Sequence, residues 1–132
     1  MNATIELRQA CSLPTLMRWR IEVLKKVYGA TPHPRLLVAN RRYFRAHAAD
    51  GTLMTLVAVV DGTECGCGTV CFTDVPPSPA NPAGRCAIIT CIYVREPFRG
   101  RGIARAIKRR LVDEARTRQC GEIHHTTPET PQ

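Results

Sequence analysis

At 132 residues the chain has the length of one domain, with enough material for a single hydrophobic core that needs no disulfide staples. Apolar residues make up 44% and charged residues 23% of it, which excludes a disordered or fibrous class. The formal net charge of +8 attracts nucleic acid, anionic membranes and polyanionic small molecules without choosing among them.

The basic residues are dispersed, with no run of about five or six like charges of the kind found in nucleic-acid-binding tails. No apolar stretch approaches the roughly 20 residues needed to span a bilayer. The seven cysteines include no C-x-x-C pair, and residues 1–10 carry no charged and apolar leader. Reduced thiols in a cytoplasmic protein are therefore expected.

Thr4 to Arg8 alternates apolar and polar side chains, which predicts a short half-buried edge strand. Ser12 then offers an N-cap and Pro14 sits within the first helical turn, where its missing N–H costs nothing. Leu13, Leu16, Met17, Ile21, Leu24, Val27 and Tyr28 recur at helical spacing, and Gly29 offers the stop. After Pro32 and Pro34 a second helix is predicted, with Leu36, Leu37, Ala39, Tyr43, Phe44 and His47 on one broad face and Asp50-Gly51 closing it. His33 and His47 are too far apart to pair on a metal, which needs three or four converging ligands, so no metal is expected.

Thr52 to Val60 is apolar on both alternations, as in a strand covered on both faces. Asp61-Gly62 supplies hairpin turn chemistry, and Cys65 to Phe72 returns as the partner strand. Strict alternation places Cys65, Cys67, Thr69 and Cys71 on one face, as small buried hydrophobes, and the glycines Gly66 and Gly68 mark a bulge or a close backbone approach. Val75 to Gly84, with four prolines, is either a substrate-side loop or a stiff connector. Arg85 to Val94 reads as a long central strand.

Ile103, Ile107 and Leu111, with Ala104, Val112 and Ala115, make the apolar stripe of a third helix that Gly121 ends. Glu122 to Thr126 is one more strand, and 127–132 is a polar tail. This order of elements predicts an α+β fold, a mainly antiparallel sheet flanked by helices.

Between the central strand and the third helix lies Pro97-Phe98-Arg99-Gly100-Arg101-Gly102-Ile103-Ala104. A helix start leaves backbone N–H groups unpaired and carries partial positive charge, so a glycine-lined approach to it cradles an anion, phosphate above all. Arg99, Arg101 and Arg105 add charge. A Walker loop is excluded, because no Gly-Lys-Ser/Thr follows a glycine at the required spacing. A dinucleotide fingerprint fails too: Gly100 and Gly102 fill its first two glycine positions, but Arg105 stands where the third should let the helix pack closely.

Tyr93 to Ala104 resembles the acyl-CoA-binding motif of the GNAT family of N-acetyltransferases, Arg/Gln-x-x-Gly-x-Gly/Ala, with Arg99, Gly102 and Ala104 at its defining positions. The preceding strand, the helix behind and the order of elements resemble that family as well. The resemblance implies that residues 1–126 form an acyl-CoA N-acyltransferase domain. Acetyl-CoA would be the co-substrate, its pyrophosphate held by the amides of Arg99, Gly100, Arg101, Gly102, Ile103 and Ala104. Arg101, Arg105 and Lys108 or Arg109 would meet the 3′-phosphate. Ile92, Tyr93 and Val94 would hydrogen-bond the pantetheine arm through their main chain, where the fourth and fifth strands diverge.

The implied reaction is direct attack of a neutral amine, of a small molecule or of a protein, on the thioester. It needs an oxyanion donor, for which an amide of Ile92 to Val94 is suited, and a route for the amine proton, for which Thr90 or a water beside it is the candidate. Family members usually continue past the fifth strand with a helix carrying the tyrosine that protonates the thiolate, and then a final pair of strands. Here Tyr28, Tyr43 and Tyr93 all precede the motif, so the expected fold is C-terminally short. Three readings follow: a truncated chain, a site completed by another subunit such as a homodimer partner, or a catalytically weak CoA-binding regulatory module. A basic nucleic-acid-binding domain is the remaining alternative, disfavoured by an aromatic content of 5% and the absence of any recognised motif.

Overall fold

The computed structural model describes residues 4–126, so the polar tail at 127–132 lies outside the described residues. One sheet runs in the order β1-β2-β3-β4-β5, with β1 at Ile5–Gln9, β2 at Leu53–Val60, β3 at Thr63–Asp74, β4 at Arg85–Val94 and β5 at Glu122–His125. The first four strands pair antiparallel and β5 joins β4 in parallel. Helices α1 (Leu13–Lys26) and α2 (Pro34–Asp50) cover one face, and α3 (Ile103–Thr117) covers the other. The α+β class is as the sequence predicts.

Local chemistry explains the element ends. The Ser12 hydroxyl accepts from the Thr15 amide at 3.3 Å and caps α1. His33 caps α2 in the same way, its Nδ1 accepting from the Leu36 amide at 3.3 Å, and Gly51 ends that helix at φ 79°. At the β2–β3 turn both Asp61 (φ 50°) and Gly62 (φ 76°) are left-handed, as a type I′ hairpin requires.

Three expectations for the helices need correction. In α1 the inward side chains are Leu16, Met17, Trp19, Val23 and Leu24, whereas Tyr28 is 46% exposed. Trp19 turns its ring onto Tyr93 and directs Nε1 at Glu64, 2.8 Å away, which rotates the buried stripe off the predicted one. On α2 only Asn40 and Phe44 are buried, because the helix meets α1 and the start of β2 along one narrow row. Helix α3 stops at Thr117 rather than at Gly121: Gln119 takes φ 63° and the Cys120 amide donates back to the Ala115 carbonyl at 3.0 Å.

The four alternating positions of β3 do not share a face. Ala58 pairs with Gly66 but Val59 with Glu64, so Cys65 is an extra residue. That bulge turns Cys65 toward the α3 side, while Cys67 packs with Trp19 and Val23. Both glycines of β3 mark close approaches: a Cβ on Gly66 would stand 2.7 Å from the Tyr93 carbonyl oxygen, and one on Gly68 would run into Ile107.

The proline-rich segment is a stiff connector. The Val75 amide donates to the Gly84 carbonyl at 2.8 Å. The buried Asn81 donates to the Arg85 carbonyl at 3.0 Å and accepts from the Gly121 amide at 3.2 Å. It thereby fixes the start of β4 beside that of β5, at the end of β4 away from the glycine turn.

Candidate active site

Everything turns on β4. Its first half, from Cys86 to Ile89, pairs with Glu122 to His125 of β5, and the Thr126 amide reaches the Ile89 carbonyl at 3.2 Å. β4 itself runs on through Thr90 to Val94. Against β3 the register also slips, since Thr69 pairs with Thr90 but Cys67 with Tyr93. Cys91 is therefore a bulge residue, with φ 61°. A left-handed non-glycine residue costs about 1–2 kcal/mol, and such strain collects at functional sites. It places the consecutive side chains of Thr90 and Cys91 on the same α1/α2 face, lining one cavity.

At the other end of this stretch the chain makes a 3-10 turn over Glu96–Phe98 and enters α3. Arg99 folds back, its Nε donating to the Val94 carbonyl at 2.9 Å, and so binds the turn to the strand it leaves. Gly100 and Gly102 sit at φ 78° and 79°, and a Cβ on either would meet nothing within 4 Å. The first helical bond runs from the Ala106 amide to the Gly102 carbonyl at 3.0 Å. The amides of Ile103, Ala104 and Arg105 thus stand at the open, positive end of the helix, with no acidic side chain in its first turn. An open, glycine-lined concavity over a helix start fits a pyrophosphate.

The other predicted binding residues divide by role. Tyr93 and Val94 have buried side chains and Ile92 packs on the α3-side core, so all three side chains are committed to packing. Arg101 lies over the Phe98 ring at 5.4 Å. The side chain of Arg105 lines, with Arg109 and Arg110, a cleft against Leu7 on the β1 flank of α3. Lys108 is on the β5 flank, where burial first and this cation second hold the His125 pKa below its usual value. Arg105 and Lys108 thus diverge from one another.

Sequence reasoning missed the clamp that sets α1 against the turn. Arg95 holds Glu22 through two bonds of 2.9 Å, donates to the Glu64 carbonyl at 3.0 Å, and lies 4.5 Å over the Trp19 ring. Its hydrogen bonds hold the Glu22 carboxyl below the usual range. Burial and a hydrogen bond to Glu22 push the Tyr93 phenol up to about 12. Beside the clamp opens a cleft of about 560 Å³ with Arg18, Lys25, Lys26, Arg95 and Arg99 in its walls.

Sequence reasoning also missed the cavity on the α1/α2 face, about 370 Å³, into which Thr90 and Cys91 point with Arg20, Tyr43, Phe44 and Cys71. Thr90 Oγ1 lies 3.3 Å from Cys91 Sγ. Arg20 and Cys91 are 71 residues apart, and nothing local in either segment announces their meeting. The ligand atoms of Cys86, Glu122 and His124 also gather, within 4.8 Å of one another, at the far end of β4 from the turn. Among the described residues, no helix is long and apolar enough to cross a membrane.

A bulged central strand that ends in a glycine-lined helix start defines a class of anion-binding α+β proteins. The chain belongs to the acetyltransferase (GNAT) family, which it matches over residues 13–131. It is similar in structure to a predicted acetyltransferase with acetyl-CoA from Clostridium acetobutylicum, with TM-score 0.79 and 26% identity over 96% of this chain and 82% of that one. A GCN5-related N-acetyltransferase from Ralstonia eutropha gives 0.76 and 22% over 96% and 85%. An aminoglycoside N-acetyltransferase in complex with CoA gives 0.71 and 16% over 97% and 80%. At such identities the last two bear on the fold alone. No curated protein matches the sequence.

Proposed function

We propose that this chain transfers the acetyl group of acetyl-CoA to the nitrogen of an amine by direct attack on the thioester, in the cytoplasm. The observation that carries this reading is the course of β4, which bulges at Cys91 and delivers the chain to the open amides at the start of α3. The turn from Arg99 to Arg105 holds the pyrophosphate. The main chain of Ile92 to Val94 takes the pantetheine arm as an added strand and supplies an amide to the oxyanion. Thr90, in the wall of the cavity, orients the amine or a water that takes its proton. The similar Clostridium protein, with acetyl-CoA, supports the choice of co-substrate.

Calorimetry with acetyl-CoA at micromolar concentration tests the binding half, and absence of binding overturns the reading. A thiol-release assay over a panel of amines tests the chemistry. Binding without turnover on any amine would leave the weak regulatory module as the function. A homodimer that completes the site is checked by sedimentation equilibrium with and without acetyl-CoA.

A further inference from the structure

We infer that the acceptor is an amine of amino-acid size that also carries a carboxylate, held by Arg20 in the cavity on the α1/α2 face. The inference rests on the acetyl-transfer reading above and names its substrate class. Among the described residues Arg20 is the only ionisable cation in the cavity wall, which contains no aspartate or glutamate. The guanidinium is fixed from several sides. Its Nε donates to Asn40 Oδ1 at 2.8 Å and its Nη1 to Cys91 Sγ at 2.8 Å, and Cζ lies 5.8 Å from the Phe44 ring centre.

Among the described residues Arg20 takes part in no ion pair. Glu22, two residues along α1, is occupied by Arg95. Asn40 in turn is fixed by its own bond to the Leu36 carbonyl at 2.9 Å, so a neutral amide occupies the position where an aspartate would have cancelled the charge. A half-buried guanidinium held rigid and lacking a counter-ion is arranged for an anion brought by a ligand.

The position of that charge limits the ligand. Arg20 touches Cys91, the bulge residue next to Thr90, so an acid seated on Arg20 has its amine within a few bonds of the bulge in β4. Ala39, Phe44 and Leu53 supply apolar wall for a side chain. A polycation such as an aminoglycoside would meet an uncompensated like charge with no carboxylate to offset it.

The test compares phenylalanine with phenylalaninamide as acceptors for acetyl-CoA in the wild type, R20Q and N40D, each checked for folding by circular dichroism. We expect the acid to exceed the amide in kcat/KM by about tenfold or more, the worth of a charge-assisted hydrogen bond. In R20Q, and in N40D where the new carboxylate occupies Arg20, the ratio should fall toward one, mainly through KM. A wild type that uses the amide as well as the acid, or variants that keep the ratio, overturn the assignment while leaving acetyl transfer intact. Calorimetry with N-acetylphenylalanine and its amide, without acetyl-CoA, separates the two claims. Acid-selective binding lost in R20Q supports the cavity even if no turnover is seen, and equal or absent binding of both at millimolar concentration overturns it.

Discussion

Substituting Gly102 with alanine and with asparagine separates the two demands made on this position. Its φ of 79° is left-handed, yet an added Cβ meets no protein atom within 4 Å. In the free protein G102A therefore carries only the backbone cost, about 1–2 kcal/mol, or a fall of roughly 4–8 °C in Tm for a domain of this length. Asparagine tolerates left-handed backbone better than alanine, so G102N should recover part of that loss. Binding should not recover. The open space over Gly102 lies beside the amides of Ile103 to Arg105, and either side chain would stand where the proposed reading brings the pyrophosphate. Losing one charge-assisted bond there costs about 1.5–3 kcal/mol, roughly 10- to 150-fold in Kd for acetyl-CoA. Urea unfolding reads the first quantity and calorimetry the second. A G102N protein that binds acetyl-CoA like the wild type would refute the cradle, leaving the glycine with a geometric role only.

Gly68 makes a contrasting demand, because its Cβ would strike Ile107 and come within 3.2 Å of Leu111. G68A should lose about 1–3 kcal/mol by overpacking, seen as a lower urea midpoint at unchanged m; a neutral result would mean that α3 can lift off β3 at no cost. Gln119, exposed at φ 63°, should become better placed as glycine, and Q119G should gain about 0.5–1 kcal/mol without altering acetyl-CoA binding. The Glu22 carboxyl is held below its usual pKa chiefly by its hydrogen bonds with Arg95. A depressed folded-state pKa adds stability that is fully present above the unfolded value and is lost as pH falls through the folded one. E22Q should therefore lower stability at pH 7 by about 1–2 kcal/mol and flatten its decline below about pH 4.5. If the wild-type and E22Q curves run parallel through that range, the clamp is not what the carboxyl titrates against.

Features written in adjacent residues were legible. The limits Arg85 and Val94 of β4, the Ser12 cap, the Asp61-Gly62 hairpin, the α3 stripe and the glycine turn each follow from local periodicity or backbone preference. Features that depend on a partner were not. A bulge is a mismatch between two strands, so counting by twos along β3 assigned Cys65 to the wrong face, and counting along β4 would have separated Thr90 from Cys91. The Glu22–Arg95 clamp joins residues 73 positions apart, and Arg20 meets Asn40 only because α1 and α2 fold against each other over the sheet. The exposure of Tyr28 and the burial of Trp19 likewise follow from what lies opposite α1, and Glu64 lies 45 residues away from Trp19.

The bulge at Cys91 also explains how one strand serves two faces. With plain alternation from Ile89, which faces α3, Cys91 and Tyr93 would face α3 as well, and Ile92 and Val94 would face α1. Tyr93 would then leave Trp19 and Glu22, and the edge of Arg95's clamp would be lost; Cys91 would leave the cavity and Arg20 would lose its second fixed contact. The extra residue reverses the order, putting Ile92 and Val94 under α3 and Cys91 and Tyr93 under α1. The cavity on the α1/α2 face and the glycine-lined start of α3 therefore adjoin the two ends of the same five residues, Thr90 to Val94, and the left-handed turn of Cys91 is what turns one strand toward both.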